Sequence, residues 1–200
     1  MRKIYYTLTA LTLSLTSCND LLDRMPDNRL VIDSPEKVQQ ALTNAYPQIA
    51  TTLINEFSSD NIDDIGADNI YSNFLTRETA YWQPILEYNN VDGLQNIWDY
   101  HYKAIGQANA ALDAIETTLH NDASLNPAKG EALVARAYAH FCLVNLFSQA
   151  YNPNTSSSDL GIPYITRPEE EMNPQRQRGT VAQVYQQIAA DLEKGLPLID

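Results

Sequence analysis

The stretch Glu131–Phe147, EALVARAYAHFCLVNLF, is apolar on nearly every side of a helix. Asn126 precedes it as the predicted N-cap, with Pro127 at the first helical position. A helix that is apolar all round is buried inside a fold, so this stretch predicts the central helix of a helical core. Arg136 and His140 are spaced i and i+4 and therefore face the same way. We expect Arg136 to bond loop carbonyls, in preference to a catalytic role.

Apolar periodicity predicts helices on both sides of this stretch. Leu94–Leu119 carries apolar residues at spacings of three and four. Thr180 and Gln183 form a capping box that opens a helix ending at Gly195. One face of that last helix is apolar, and no later helix in the sequence covers it. We therefore expect this face to associate with another surface or to fray. The residues of this face are Val184, Ile188 and Leu192.

The remaining segments predict one further helix and two long loops. Ser34 and Pro35 begin a helix that runs to about Phe57, with a kink at Pro47. Residues 71–88 are rich in aromatic side chains but have no steady period, which favours a long structured loop, and residues 151–178 form another. The predicted fold class is all-α, a helix-pair, tetratricopeptide-like solenoid with long irregular loops.

Charge and motifs exclude several classes of function. The chain has 25 acidic and 13 basic residues and a net charge of −12, which argues against nucleic acid and anionic lipid as partners. No nucleophile-elbow, zinc-protease or phosphate-loop motif occurs, so we predict neither an enzyme nor a cofactor. The acidic loop 58–69 fails the calcium-loop template, because aligning Gly66 to its glycine puts Ile65 and Ser72 at ligand positions. We therefore predict a solvated loop without metal.

The N-terminus has the pattern of an export signal. A basic start is followed by an uncharged apolar run, Ile4–Leu15, which is too short to span a bilayer. Leu15-Thr16-Ser17-Cys18 then resembles a bacterial lipobox. We predict a signal peptide over residues 1–17, lipidation of Cys18, an extended tether over 18–33 and a helical domain over 34–200. Cys142 then remains alone, as a buried and inert thiol.

Several short blocks, in order along the chain, resemble the SusD/RagB family of nutrient-uptake outer-membrane lipoproteins. The blocks are Cys18-Asn19-Asp20-Leu21-Leu22-Asp23 with Pro26, Gly130-Glu131-Ala132, Arg136-Ala137, Phe141-x-Leu143-x-x-x-Phe147, Gly161-Ile162-Pro163, and Arg178-Gly179-Thr180-Val181 with Tyr185, Ile188, Asp191 and Leu192. Members of the family are typically much longer than this chain. The resemblance therefore covers the N-terminal part, and the C-terminal half, which supplies much of the glycan site, is expected to be absent.

The resemblance implies a surface-exposed, lipid-anchored protein of the outer membrane. Such a protein holds an oligosaccharide or another nutrient and hands it to a SusC-like TonB-dependent transporter. Two alternatives stay open from the residues: a lipid-anchored helical scaffold without ligand, and a glycosidase, which needs two carboxylates facing each other across a cleft.

The aromatic loop contains the candidate ligand-binding residues. Tyr71, Tyr81 and Trp82 are predicted as flat stacking platforms for sugar rings, with Asn69 as a partner for hydroxyl groups. The alternative is that Trp82 fills a gap between the first helix and the helix that starts near Leu94. In that case it belongs to the core.

Overall fold

The structure of the protein is a computed structural model that describes residues 31–63, 66, 74–86, 91–169 and 176–199. The predicted signal peptide, Cys18 and nearly all of the predicted tether lie outside the described residues. Within them the regular elements are helices, and the only strand-like pairing is an antiparallel bridge between Leu160 and Thr180. The all-α fold class is confirmed, whereas the solenoid stays a prediction.

Six α-helices make up the described part of the chain. They are α1 (Pro35–Leu42), α2 (Thr52–Phe57), α3 (Phe74–Ala80), α4 (Leu94–Asp113), α5 (Asn126–Phe147) and α6 (Val181–Gly195). A π-helical turn, Ala114–Thr118, extends α4, and short 3-10 turns cover Ala123–Leu125 and Leu196–Leu198. None of these helices is both long enough and apolar enough to cross a bilayer.

Helix α5 is the centre of the fold, as its sequence predicts. It packs between α4 and α6, and both neighbours run antiparallel to it. On one side Asn109 of α4 bonds Arg136, and Trp98, near the start of α4, meets Phe147 at the end of α5. On the other side Asp191 of α6 also bonds Arg136. The buried residues of α5 cover most of its circumference: Ala128, Gly130, Ala132, Leu133, Ala135, Arg136, Ala137, Ala139, His140, Leu143 and Val144.

The expectation that α6 leaves an uncovered apolar face is wrong. Val184 and Ile188 are buried, and Leu192 is partly buried. They pack in one apolar cluster with Leu143 and Val144 of α5. The partner surface comes from the preceding helix, α5, which is apolar on nearly all sides, and not from a later helix.

Two glycines allow the close crossing of α5 and α6. A Cβ atom on Gly130 would lie 2.7 Å from the carbonyl oxygen of Gly195, and one on Gly195 would lie 2.9 Å from Cβ of Leu133. Gly195 also keeps right-handed helical backbone, with φ −82°. The sequence interpretation of Gly195 as a helix stop is therefore incomplete: this glycine is present because the two helices touch there, and the chain continues into a 3-10 turn.

The N-terminal helix ends earlier than the sequence predicts. Ser34 caps α1 as expected, since its hydroxyl accepts the N–H of Lys37. The helix stops at Leu42, and a separate helix α2 begins at Thr52. Pro47 breaks the helix here, because its ring restricts the preceding residue to extended backbone and removes an N–H donor.

Two other predicted boundaries shift. The N-cap of α5 is Leu125, and Asn126 is already the first helical residue. The aromatic segment predicted as a continuous loop contains helix α3 in its middle. The capping box of Thr180 and Gln183 is confirmed, with both of its reciprocal hydrogen bonds formed.

A matched pair of substitutions tests the close contact between α5 and α6. We expect Gly130→Ala to destabilise the protein by about 1–3 kcal/mol, because the new methyl group meets backbone that cannot move aside. Gly106→Ala is the control: no atom lies within 4 Å of a Cβ at Gly106, which also lies inside a helix. There the alanine should add about 0.5–1 kcal/mol of stability through helix propensity. Urea unfolding followed by circular dichroism measures both, and equal shifts would refute the close-contact explanation.

Candidate ligand-binding site

The predicted platform residues Tyr81 and Trp82 directly follow helix α3. Trp82 exposes 80% of its surface and Tyr81 exposes 54%. The alternative that Trp82 fills a gap in the core is therefore wrong. Asn69 and Tyr71, the other two predicted site residues, lie outside the described residues.

The backbone at Trp82 adopts a conformation that large residues avoid. Helix α3 ends in a Schellman motif, in which the N–H of Gln83 donates to the carbonyl of Glu78 at 2.8 Å and the N–H of Trp82 donates to that of Thr79 at 3.1 Å. This motif places Trp82 in the left-handed region, with φ +53°, where glycine is the usual residue. Left-handed backbone costs a residue with a side chain roughly 1–2 kcal/mol. Little burial of the indole offsets this cost, since Trp82 is 80% exposed.

Glu78 braces the segment that carries Trp82. Its side chain is buried, and its Oε2 accepts the N–H of Leu86 at 2.8 Å. Its carbonyl accepts the N–H of Gln83, as described above. One residue of α3 thus holds both ends of the short run 83–86, which fixes the chain on the C-terminal side of Trp82.

This arrangement is suited to binding. An exposed indole and an exposed phenol offer flat apolar faces, each with a polar tip. Sugar rings present C–H faces that stack on such rings. The carboxylate of Glu78 accepts a backbone N–H here and so serves to hold the segment.

The buried polar residues of α5 belong to a different place and hold the fold together. Arg136 makes a bidentate ion pair with Asp191, with both N···O distances 2.7 Å. Its Nη1 also donates to Oδ1 of Asn109 at 2.8 Å and to the carbonyl of Thr166 at 3.2 Å. The expected bond from Arg136 to a loop carbonyl is confirmed. The sequence prediction did not identify Asp191 as its principal partner.

His140 joins the same cluster to the loop. Its ring stacks on Tyr164 with centroids 3.8 Å apart, and its Nε2 accepts the N–H of Ile165. Its other nitrogen, Nδ1, then carries the proton and donates to the carbonyl of Arg136 at 2.8 Å. Burial, assisted by the charge of Arg136, lowers the pKa of His140 to about 4. His140 is therefore neutral and structural near neutral pH.

A surface group of aromatic rings was missed by the sequence analysis. Tyr138 and Phe141 of α5 are about half exposed, at 53% and 46%, although the apolar run predicts burial on most faces. Tyr185 of α6 makes edge contacts with Phe141 and with Tyr151. Tyr138, Phe141 and Asn145 are spaced i, i+3 and i+7, so they lie on one face of α5, and this spacing is visible in the sequence. The expectation that Cys142 of the same helix is buried is wrong, because it is only partly buried.

The acidic loop has no described metal site. Asp60 and Asp63 are exposed, while Asp64 and Asp68 lie outside the described residues. Among the residues that the structure describes, no group of three or more metal-ligating side chains comes together.

Comparisons with known proteins give a match to a family and a match to a solved structure. A SusD-like family model, described as "Starch-binding associating with outer membrane", matches residues 20–200. Among solved structures, a SusD superfamily protein from Bacteroides thetaiotaomicron VPI-5482 is similar, with 23% sequence identity and a TM-score of 0.58. The match covers 82% of this chain and 37% of that chain, and it shows the fold alone. No curated protein matches the chain.

The neutral state of His140 predicts acid sensitivity. The pKa of His140 is about 4 in the folded protein, against an ordinary value of 6.5. Between these two pH values the imidazole is protonated in the unfolded chain but neutral in the native protein. The free energy of unfolding should fall by up to about 3 kcal/mol from this group between pH 6.5 and 4. Burial lowers the pKa of His101 too, which adds to the loss in the same direction. Urea titrations across this pH range measure the effect.

The variant His140→Gln separates this contribution from that of the carboxylates. Glutamine keeps an acceptor for the N–H of Ile165 but takes up no proton in this range. We expect a flatter pH profile than in the wild type, with lower stability at pH 7. An unchanged slope between pH 6.5 and 4 would show that His140 is not the titrating group.

Proposed function

Because this chain belongs to the SusD-like family of starch-binding proteins that associate with the outer membrane, we propose that it captures a glycan without covalent chemistry. In this proposal Trp82 and Tyr81 are the stacking platforms, and Asn69 and Tyr71 complete the site. The captured glycan then passes to a SusC-like TonB-dependent transporter in the outer membrane.

The observation that carries the proposal is the cost of Trp82 in its present position. A tryptophan 80% exposed, in backbone with φ +53°, contributes neither core packing nor relaxed geometry. Strained residues of this kind concentrate at functional sites, where the surrounding structure holds them. Here the Schellman motif and the carboxylate of Glu78 supply that support.

Non-covalent capture agrees with the chemistry of the described residues. Stacking on an indole is reversible and tolerates different sugars, which suits a protein that must release what it binds. Lipidation at Cys18 would keep the protein beside the transporter, because two or more acyl chains give stable anchoring where one alone is marginal.

Replacing Trp82 by glycine tests the proposal, because it should raise the stability of the protein and weaken its binding of glycan. We expect Trp82→Gly to stabilise the protein by about 1 kcal/mol, because glycine relieves the left-handed backbone. The same change should weaken binding of maltoheptaose, a soluble starch fragment, at least about tenfold, the loss expected for a dominant contact residue. Isothermal titration calorimetry and thermal unfolding on the same samples measure the two effects.

His120→Gly is the matched control. His120 has φ +51° and is exposed, but it lies in the turn after α4. It should show a comparable gain in stability with unchanged binding. Wild-type affinity in Trp82→Gly would remove Trp82 from the site, and a loss of stability of several kcal/mol would return it to the core.

The predicted anchor has its own test. In Cys18→Ala the acyl acceptor is gone, so the protein should take up no radiolabelled palmitate and should leave the membrane fraction or remain unprocessed. Cys142→Ala is the control and should label like the wild type, because Cys142 lies inside α5. Labelling of the Cys18→Ala protein at the wild-type level would contradict the lipobox interpretation.

A further inference from the structure

A second concave site lies where the start of α5 meets the turn after α1. Its cavity has a volume of about 370 Å³, within the usual range for small-molecule sites. Pro127 and Val134 of α5 and Ile199 near the C-terminus form its apolar side. None of its lining residues belongs to α3 or to the Trp82 segment.

Three polar side chains line the same cavity. Gln39 comes from α1, Tyr46 from the turn that follows it and Glu131 from α5. The Tyr46 hydroxyl donates to Oε1 of Glu131 at 3.1 Å, across 85 residues of sequence. This bond orients the phenol ring at the edge of the cavity and leaves Oε2 of Glu131 available to a ligand. The burial of Tyr46, together with the negative charge of Glu131, raises the pKa of the phenol, so it stays protonated as the donor.

This lining favours a neutral ligand with both an apolar face and hydroxyl groups. An aromatic ring and an apolar wall would accept the C–H face of a sugar ring. The carboxylate accepts hydrogen bonds from hydroxyl groups, and the amide of Gln39 both donates and accepts them. An amine would gain little, because an ion pair with a partly exposed carboxylate contributes only about 0–1 kcal/mol. Most of the wall is apolar and would remain unused by a compact cation.

We propose that the cavity bounded by Tyr46 and Glu131 is a saccharide subsite, separate from Trp82. Tyr46 supplies the stacking face, Glu131 accepts a hydrogen bond from a sugar hydroxyl, and Gln39 completes the polar edge. This inference goes beyond the proposed function, because it assigns a second site that does not depend on Trp82.

Methyl and indole NMR resonances of the full chain distinguish the two sites in one titration. With maltose as the probe, the methyl signals of Val134 should shift. Tyr46→Ala should weaken the affinity read at Val134 at least about tenfold, and Glu131→Gln should weaken it several-fold. Tyr46→Phe keeps the ring and loses only the bond to Glu131, so it should bind better than Tyr46→Ala and guards against misinterpreting a folding defect. Tyr138→Ala, which removes a tyrosine of similar exposure from α5, should change nothing.

The outcomes separate this inference from the proposed function. Shifts at Val134 without shifts at the Trp82 indole support the subsite and count against Trp82. Shifts confined to the Trp82 indole overturn the subsite and leave the proposed function standing. Equal effects of Tyr46→Ala and Tyr138→Ala overturn the subsite too. So does a Val134 response to butylammonium but not to maltose, since it would identify a cation site.

Discussion

The buried ion pair between Arg136 and Asp191 is the interaction on which the rest of the fold depends. Both side chains are only 8% exposed, and the pair is bidentate. Because a buried charge is costly unless it is paired and hydrogen-bonded, removal of either partner is expected to destabilise such a site by about 3–5 kcal/mol. The pair joins α5 to α6, and the further bond from Arg136 to Asn109 joins α5 to α4. Three helices thus meet at one guanidinium group.

The same cluster holds the described part of the long connection between α5 and α6 near Ile165. Tyr164 donates to Asp191 at 2.6 Å, Asn109 donates to the carbonyl of Ile165, and the N–H of Ile165 donates to His140. Both backbone polar groups of Ile165, which lies outside any helix or strand, are therefore satisfied by side chains of α4 and α5. Earlier in the same connection, local turns support the chain, since the N–H groups of Ser156 and Asp159 donate to the carbonyls of Asn152 and Thr155.

The two candidate binding places lie away from this cluster and differ from it in construction. Trp82 is exposed on strained backbone, and its support comes from Glu78 within the preceding helix. The cavity at Tyr46 depends on a bond between the turn after α1 and the start of α5. In both, an aromatic ring remains accessible while a carboxylate fixes its surroundings. A rigid helical core that presents such rings on its connections is a suitable frame for binding glycans.

Local patterns in the sequence determined the three long helices and two of the helix starts. The spacing of apolar residues located α4, α5 and α6, and short-range side-chain bonds at Ser34 and Thr180 marked two helix starts. These signals were sufficient because helix periodicity and capping act over three or four residues. The short blocks that resemble SusD/RagB proteins pointed to the family in the same way, as local matches in order.

Only the tertiary structure decided which surfaces meet. Arg136 and Asp191 are 55 residues apart, and no local pattern couples them. The burial of Val184, the glycine contact of α5 with α6, and the exposure of Trp82 and Tyr138 likewise depend on how whole helices pack. The sequence shows that a residue is apolar, but whether that residue is buried depends on neighbours that are far away in the sequence. The three long helices could therefore be predicted from the chain, whereas the partners of their faces could not.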